Sequence, residues 1–214
     1  QTIHAADTEN HNTAVGYQAL YAASLAGGEY NVAIGNYTLD ALTTADRITA
    51  VGYQAGSAHT TGANCVFMGY QAGLANTTGA SIVAIGANAY DFADTESHNI
   101  AIGNDSMHGA VAGGEFNVAV GSQTLDAVTS GDGNVAIGYN AGSAITTGSR
   151  NTLIGNEAAL DTVGLTTGFN NTVIGHHART SVNNAEGQIV IGEDLAGAGD
   201  NRVTLGSASG TINC

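Results

Sequence analysis

The sequence predicts an all-β protein, a parallel β-solenoid of about twelve coils with about 17 residues each. Three observations carry this. A five-residue phrase, clearest as Asn31-Val32-Ala33-Ile34-Gly35, recurs from end to end. Its copies close at Gly16, Gly35, Gly52, Gly69, Gly86, Gly103, Gly121, Gly138, Gly155, Gly175, Gly192 and Gly206. The residue before each glycine is aliphatic, and the residue two places earlier is always β-branched. Finally, the composition is that of a tightly turning chain without helices. It has 31 Gly, no Pro, no Trp and 10% charged residues, against about 25% in ordinary domains. No stretch has an amphipathic helical pattern.

Each phrase reads as a short strand. Side chains two apart share a face, and β-branched residues suit a pleated surface. The aliphatic and β-branched positions are therefore expected to point into the coil. The residue between them points the other way and is Ala in seven copies, including Ala33, Ala84 and Ala136. A solvated face would be polar, so this second face is expected to be covered, most simply by another copy of the chain in a homotrimer. A wet, Ala-rich outer face is the alternative. On the first reading, Ala136→Glu blocks assembly. Glycine ends each strand because the chain must turn there. Asn opens seven copies, among them Asn31, Asn117 and Asn134, and suits turn conformations. Stacked once per coil, it also predicts an amide ladder.

After each glycine a second segment begins, with a small residue three places on, as in Ala19, Ala55, Ala72 and Ala141. It often closes in Thr-Thr-Gly, as at Thr60-Thr61-Gly62 and Thr146-Thr147-Gly148. This reads as a second short strand and a turn. Stacking at ~4.8 Å per coil gives a rod roughly 55–60 Å long. A larger repeat lies above the small one. Tyr53-Gln54-Ala55-Gly56-Ser57-Ala58 returns 86 residues later as Tyr139-Asn140-Ala141-Gly142-Ser143-Ala144. Thr38-Leu39-Asp40-Ala41 returns as Thr124-Leu125-Asp126-Ala127, also 86 residues on. A block of five coils is duplicated. Residues 1–11 read as a lead-in, 12–206 as one solenoid domain, and 207–214 as a tail leading to a domain beyond this chain.

The charge excludes some partners. The formal net charge is −14, with four Arg (Arg47, Arg150, Arg179, Arg202), no Lys and 18 acids. Nucleic-acid binding needs basic patches to replace phosphate counterions, and anionic membrane surfaces are disfavoured for the same reason. No apolar run is long enough to insert in a membrane, and the sequence contains no stretch with the pattern of a signal peptide. Cys65 takes the phrase position usually held by Asn, and Cys214 is the last residue. They lie about nine coils apart, too far for a disulfide in a rod, so both are expected as free thiols, with Cys214 a possible interchain contact.

Candidate chemistry is sparse. Tyr17, Tyr53, Tyr70 and Tyr139 directly follow phrase glycines. Tyr53 and Tyr70 lie on consecutive coils and are expected to stack, as a receptor contact for surface sugars or as turn packing. His176 and His177 would point opposite ways on a strand, and no second ligand pattern accompanies them, so no metal site is expected. Asp91, Asp94 and Glu96 form the densest acid cluster, the residue type of paired carboxylates in glycoside hydrolysis, but no cleft is implied. No Gly-x-Ser-x-Gly, phosphate-loop or zinc signature stands out, so no catalytic residue and no cofactor are expected.

The Asn-Val-Ala-Ile-Gly phrase, with its following Ala and Thr-Gly turn, resembles the head repeats of YadA-like trimeric autotransporter adhesins. The variant Asn12-Thr13-Ala14-Val15-Gly16-Tyr17-Gln18-Ala19-Leu20 looks still more like repeats of phage tail fibres and tailspikes. The closing Gly210-Thr211-Ile212-Asn213-Cys214 is similar to the segment that precedes a self-cleaving chaperone domain in such fibres. The resemblance implies a left-handed parallel β-roll assembled as an extracellular homotrimer. It also implies a structural or adhesive role in a virion tail fibre that contacts a host-surface glycan or protein receptor. The longer period separates the chain from the adhesins, whose coil is nearer 14 residues. A bacterial adhesin head on the cell surface is the second expectation, and a monomeric solenoid that binds ice or polysaccharide the third.

Overall fold

The computed structural model of the chain describes residues 11–21, 27–160, 165–207 and 210–211. Its strands are β1 (Thr13–Val15), β2 (Val32–Ile34), β3 (Thr49–Val51), β4 (Val66–Met68), β5 (Val83–Ile85), β6 (Ile100–Ile102) and β7 (Val118–Val120). They continue as β8 (Val135–Ile137), β9 (Thr152–Ile154), β10 (Thr172–Ile174), β11 (Ile189–Glu193), β12 (Val203–Ser207) and β13 (Gly210–Thr211). All thirteen belong to one sheet in chain order. β1 to β12 run parallel, so the chain winds through about eleven turns of a β-solenoid. Register is kept throughout. Val32 faces Thr49, Ala33 faces Ala50 and Ile34 faces Val51, and the pattern persists to Ile189–Val203. β13 turns back antiparallel onto β12, pairing Gly206 with Thr211. Of the lead-in only His11 is described, and Cys214 lies outside the described residues. Among the described residues no helix is long and apolar enough to cross a membrane.

The phrase glycine is required twice over. At Gly103 φ is +139°, a conformation that L side chains rarely adopt. A side chain there would also run into the carbonyl of Gly121, the corresponding glycine of the next coil. The same contact recurs between successive phrase glycines along the stack. Coils therefore close on one another through bare backbone at this corner.

The two strand faces are the reverse of the expectation. The middle residue is the buried one: Ala33, Ala50, Ala84, Ala101, Ala119 and Ala136 have no exposed surface. The β-branched and aliphatic residues on either side point outward and are half-buried or exposed in every strand. The cause is the width of the coil. The Ala column closes directly on the second segment, whose small residues Ala19, Ala55, Ala72, Ala89, Ala141, Ala158 and Ala178 are likewise buried. Leu39, Leu42 and Leu125 fill the remaining space. Where the strand carries a large residue instead, the opposite wall recedes. Phe67 lies against Gly56 and Gly73, and Leu153 lies against Gly142. Val173 and Val190 are buried at the same strand position on the next two coils, and Val190 lies against Gly197.

The amide ladder forms. The Asn134 backbone N–H donates to Asn117 Oδ1 (2.9 Å), and its Nδ2 donates to the Gly148 carbonyl (2.8 Å). Asn151 and Asn171 repeat both bonds, and Gln188 extends the column by donating its N–H to Asn171 Oδ1. These amides are buried, and each satisfies backbone that would otherwise be unpaired between coils. Ile48, Cys65 and Ile82 interrupt the column on three consecutive coils. Cys65 is free, its Sγ contacts the Gly79 carbonyl at 3.4 Å, and burial pushes its thiol up to about 11. It is an inert core thiol.

The second segment is not a strand. Its residues alternate into the left-handed region, as at Tyr37 (φ 58°) and Leu39 (φ 50°), or Asp105 (φ 52°) and Met107 (φ 50°). Such residues each cost about 1 kcal/mol or more. The coils are tied there by bonds to both neighbours: the Gln54 N–H donates to the Asn36 carbonyl behind and the Gly56 N–H to the Ala72 carbonyl ahead. The block duplication persists in three dimensions. Thr38 Oγ1 donates to the Gly52 carbonyl (2.8 Å) as Thr124 Oγ1 does to that of Gly138 (2.7 Å).

Two outcomes follow from this packing. Gly103→Ala should lower unfolding stability by about 3 kcal/mol, combining a disallowed φ with a backbone clash. Gly113→Ala, at a glycine with positive φ but open space around it, should cost about 1 kcal/mol. Equal losses in urea denaturation would refute the stacking role of the phrase glycine. His59 is buried, pairs with Asn76 Oδ1 at 2.9 Å and touches the Gly62 carbonyl. Burial holds its imidazole below the ordinary 6.5. As pH falls through that value the unfolded chain takes up a proton that the folded chain refuses. The His59 contribution is therefore full above 6.5 and is lost below it. Unfolding stability measured from pH 8 to pH 5 should fall less steeply in His59→Ile than in the parent.

Candidate functional site

The first and third residues of each strand from β1 to β12 form a continuous wall two residues wide. All are aliphatic except Thr13, Thr49, Thr152, Thr172 and the methionine Met68. Val15, Ile34, Met68, Ile137, Ile189, Ile191 and Val203 are exposed. At ~4.8 Å per coil the wall runs roughly 55 Å, and with a width of ~10 Å it presents on the order of 500 Å². That lies at the upper end of the largest apolar patches that monomers leave in water.

A second surface is aromatic. Tyr53 and Tyr70 stack with ring centroids 5.6 Å apart and planes 12° apart. Tyr37 meets Tyr53 edge-on at 5.9 Å and Tyr17 at 5.5 Å. The result is a four-coil tyrosine strip, with Tyr17, Tyr53 and Tyr70 exposed. Beside it Gln71 Nε2 donates to Gln54 Oε1 (2.9 Å). Tyr37 escapes the sequence pattern because it stands two residues after its glycine, not one. Its backbone is in the left-handed region, which brings the ring into line with those of its neighbours. Because Tyr53 and Tyr70 face each other, each covers part of the other's face. The strip offers a partner ring edges and one open face more than a row of flat platforms.

The acid cluster does not converge. Asp94 accepts from Thr77 Oγ1 (2.6 Å) on the preceding coil. Glu96 is nearly buried and accepts from the backbone N–H groups of Thr95 (3.1 Å) and Gly113 (2.9 Å). Asp91 is buried, with Oδ1 2.7 Å from His108 Nδ1 on the next coil. The two groups are poorly aligned, and neither atom has a hydrogen-bond partner. Burial pushes the Asp91 carboxyl above its ordinary range, and the neighbouring His108 opposes that shift. The same column continues to Asp126, whose carboxyl burial also raises.

His176 and His177 lie in the turn after Gly175, not on a strand. His177 has φ 51°, which swings its ring beside that of His176. The rings stack with centroids 4.2 Å apart and planes 27° apart. The expectation of opposed side chains is therefore wrong at this position. Carboxylates of the neighbouring coils meet the pair, Glu157 from one side and Glu193 and Asp194 from the other. Each follows its own phrase glycine, so strict register brings them to the same corner. Spacing along the sequence hides this cluster, because its members stand about one coil length apart. No protein-family model, curated protein or solved structure matches the chain.

Proposed function

We propose that the chain is a rigid, trimeric shaft or head segment of a phage tail fibre, extracellular on the virion, that contributes to binding a receptor on the host surface. The aliphatic wall is the observation that carries this reading. Removing roughly 500 Å² of apolar surface from water is worth about 12 kcal/mol at 25 cal/mol per Å². A rod with one such stripe along its length is suited to a closed assembly in which every copy turns that stripe to a common axis. The small, buried Ala column belongs to the interior of each chain, so assembly is assigned to the opposite face from the one the sequence suggested. The exterior then left in water carries the acids of a chain with net charge −14, which favours solubility. The role is mechanical and adhesive, with no catalytic group assigned.

The head of a bacterial trimeric adhesin shares this architecture and is the second reading. A monomeric ice- or polysaccharide-binding solenoid is less well supported, because the flat face presents Val and Ile where a regular hydroxyl array would be needed.

The receptor contact assigned to this reading is the tyrosine strip around Tyr53 and Tyr70. Copies of one strip on a trimer add by effective concentration, so weak single contacts suffice.

Light scattering on a size-exclusion column should return about three times the chain mass of 21.3 kDa. Ile137 is 40% exposed, so Ile137→Glu should leave the fold intact, as judged by circular dichroism, and return the single-chain mass. A monomeric parent, or a trimeric Ile137→Glu variant, refutes the proposed axis. Ala136→Glu should instead unfold the chain, since its side chain has no exit from the core. For the strip, Tyr53→Ala with Tyr70→Ala should weaken attachment of the trimer to host cells by about tenfold or more. Unchanged attachment with trimer mass intact removes the strip from the receptor site.

A further inference from the structure

We infer that His176, Glu193 and Asp194 form a site for a divalent transition-metal ion of the zinc type. One ligand atom from each lies within 4.8 Å of the other two. His176 Nδ1 stands 3.9 Å from Glu193 Oε1. Ligands on a tetrahedral ion with bonds of 2.0–2.2 Å stand about 3.4 Å apart. The three exposed side chains therefore need to close by about an ångström, which torsional adjustment at a surface supplies.

The backbone holds the site in place. The His177 N–H donates to the Asn156 carbonyl (3.0 Å), and the Asp194 N–H donates to the His176 carbonyl (2.9 Å). Asn156-Glu157, His176-His177 and Glu193-Asp194 therefore occupy the same two positions on three successive coils. β9, β10 and β11 pair in register just before them. A solenoid stacks like positions at one strand spacing, so an imidazole in one coil with acids in the next becomes a compact nitrogen and oxygen donor set.

Behind the ligands stands an outer shell. His177 Nε2 contacts Glu157 Oε2, while His177 Nδ1 faces Asp194 Oδ1 at 3.5 Å. The Glu157–His177 pair therefore lies against Asp194 and orients its carboxylate as an outer shell commonly does. His177 and Glu157 are positioning residues here, and His176, Glu193 and Asp194 are the ligands. The fourth position faces solvent and suits a water. One imidazole with two carboxylates suits zinc and its neighbours better than calcium, which takes six to eight oxygens.

The test is isothermal titration of the chelator-treated chain with zinc chloride at pH 7.5, with calcium chloride as the second titrant. One zinc per chain with a micromolar dissociation constant is expected, with calcium at least about tenfold weaker. His176→Ala changes no carboxylate, so it leaves the general attraction of an acidic chain for cations in place. It should still weaken zinc binding by about tenfold or more, as should Asp194→Asn, while Glu157→Gln should weaken it by about tenfold through orientation alone. Circular dichroism confirms that each variant is folded. Absence of stoichiometric zinc binding by the parent overturns the site. So does a His176→Ala variant that binds as the parent does, or zinc binding lost in His108→Ala instead. The ligands all come from one chain, so the result does not depend on the trimer.

Discussion

The architecture depends on one close approach, the phrase glycine of each coil seated against the carbonyl of the phrase glycine in the next. Because nothing larger than hydrogen fits, this corner sets the register. From the register follow the stacking of Asn on Asn, Ala on Ala, and Ile on Ile. The amide ladder inside and the aliphatic wall outside are two consequences of the same alignment. So is the meeting of His176 with Glu193. In a fold with looser register, residues on neighbouring coils would not meet with such regularity.

The interior is unusually thin, and this thinness decides where each residue type goes. Most globular cores place the largest apolar side chains at the centre. Here the strand wall contributes Ala in most coils, with Phe67, Leu153, Val173 and Val190 as its larger members, and many of the larger core groups come from the opposite segment. Phe67 and Leu153 show the rule by their compensation, since each is matched by glycines across the coil. The bulk displaced from the interior reappears on the outside as a row of Val and Ile. A chain built this way has two apolar faces on each strand, one satisfied within the coil and one left over.

The period, strand positions and parallel stack were legible in the sequence because each is a local property repeated twelve times, and the amide column because Asn opens seven of the copies. The choice of face was not. Alternation of period two separates two faces, but which is inside depends on the distance to the opposite wall. That distance is set by residues such as Ala55 and Leu39, many positions away. The second segment was read as a strand because Tyr37, Gln54 and Leu39 give no sign of a left-handed backbone. That conformation is imposed by bonds to the coils on either side. The same cause hid Tyr37 from the aromatic strip and made His176 and His177 look opposed.

The duplicated block shows how such a molecule can be resized. Each coil contacts only its neighbours, so copying five coils in register creates no new kind of interface. It adds about 24 Å of length. In a homo-oligomer a single recombination in one coding sequence would lengthen all the strands of the assembly together, without any mismatch between them. The chain then behaves as a ruler graduated in coils. Selection on reach can act in whole graduations, while the surface positions between them remain free to vary.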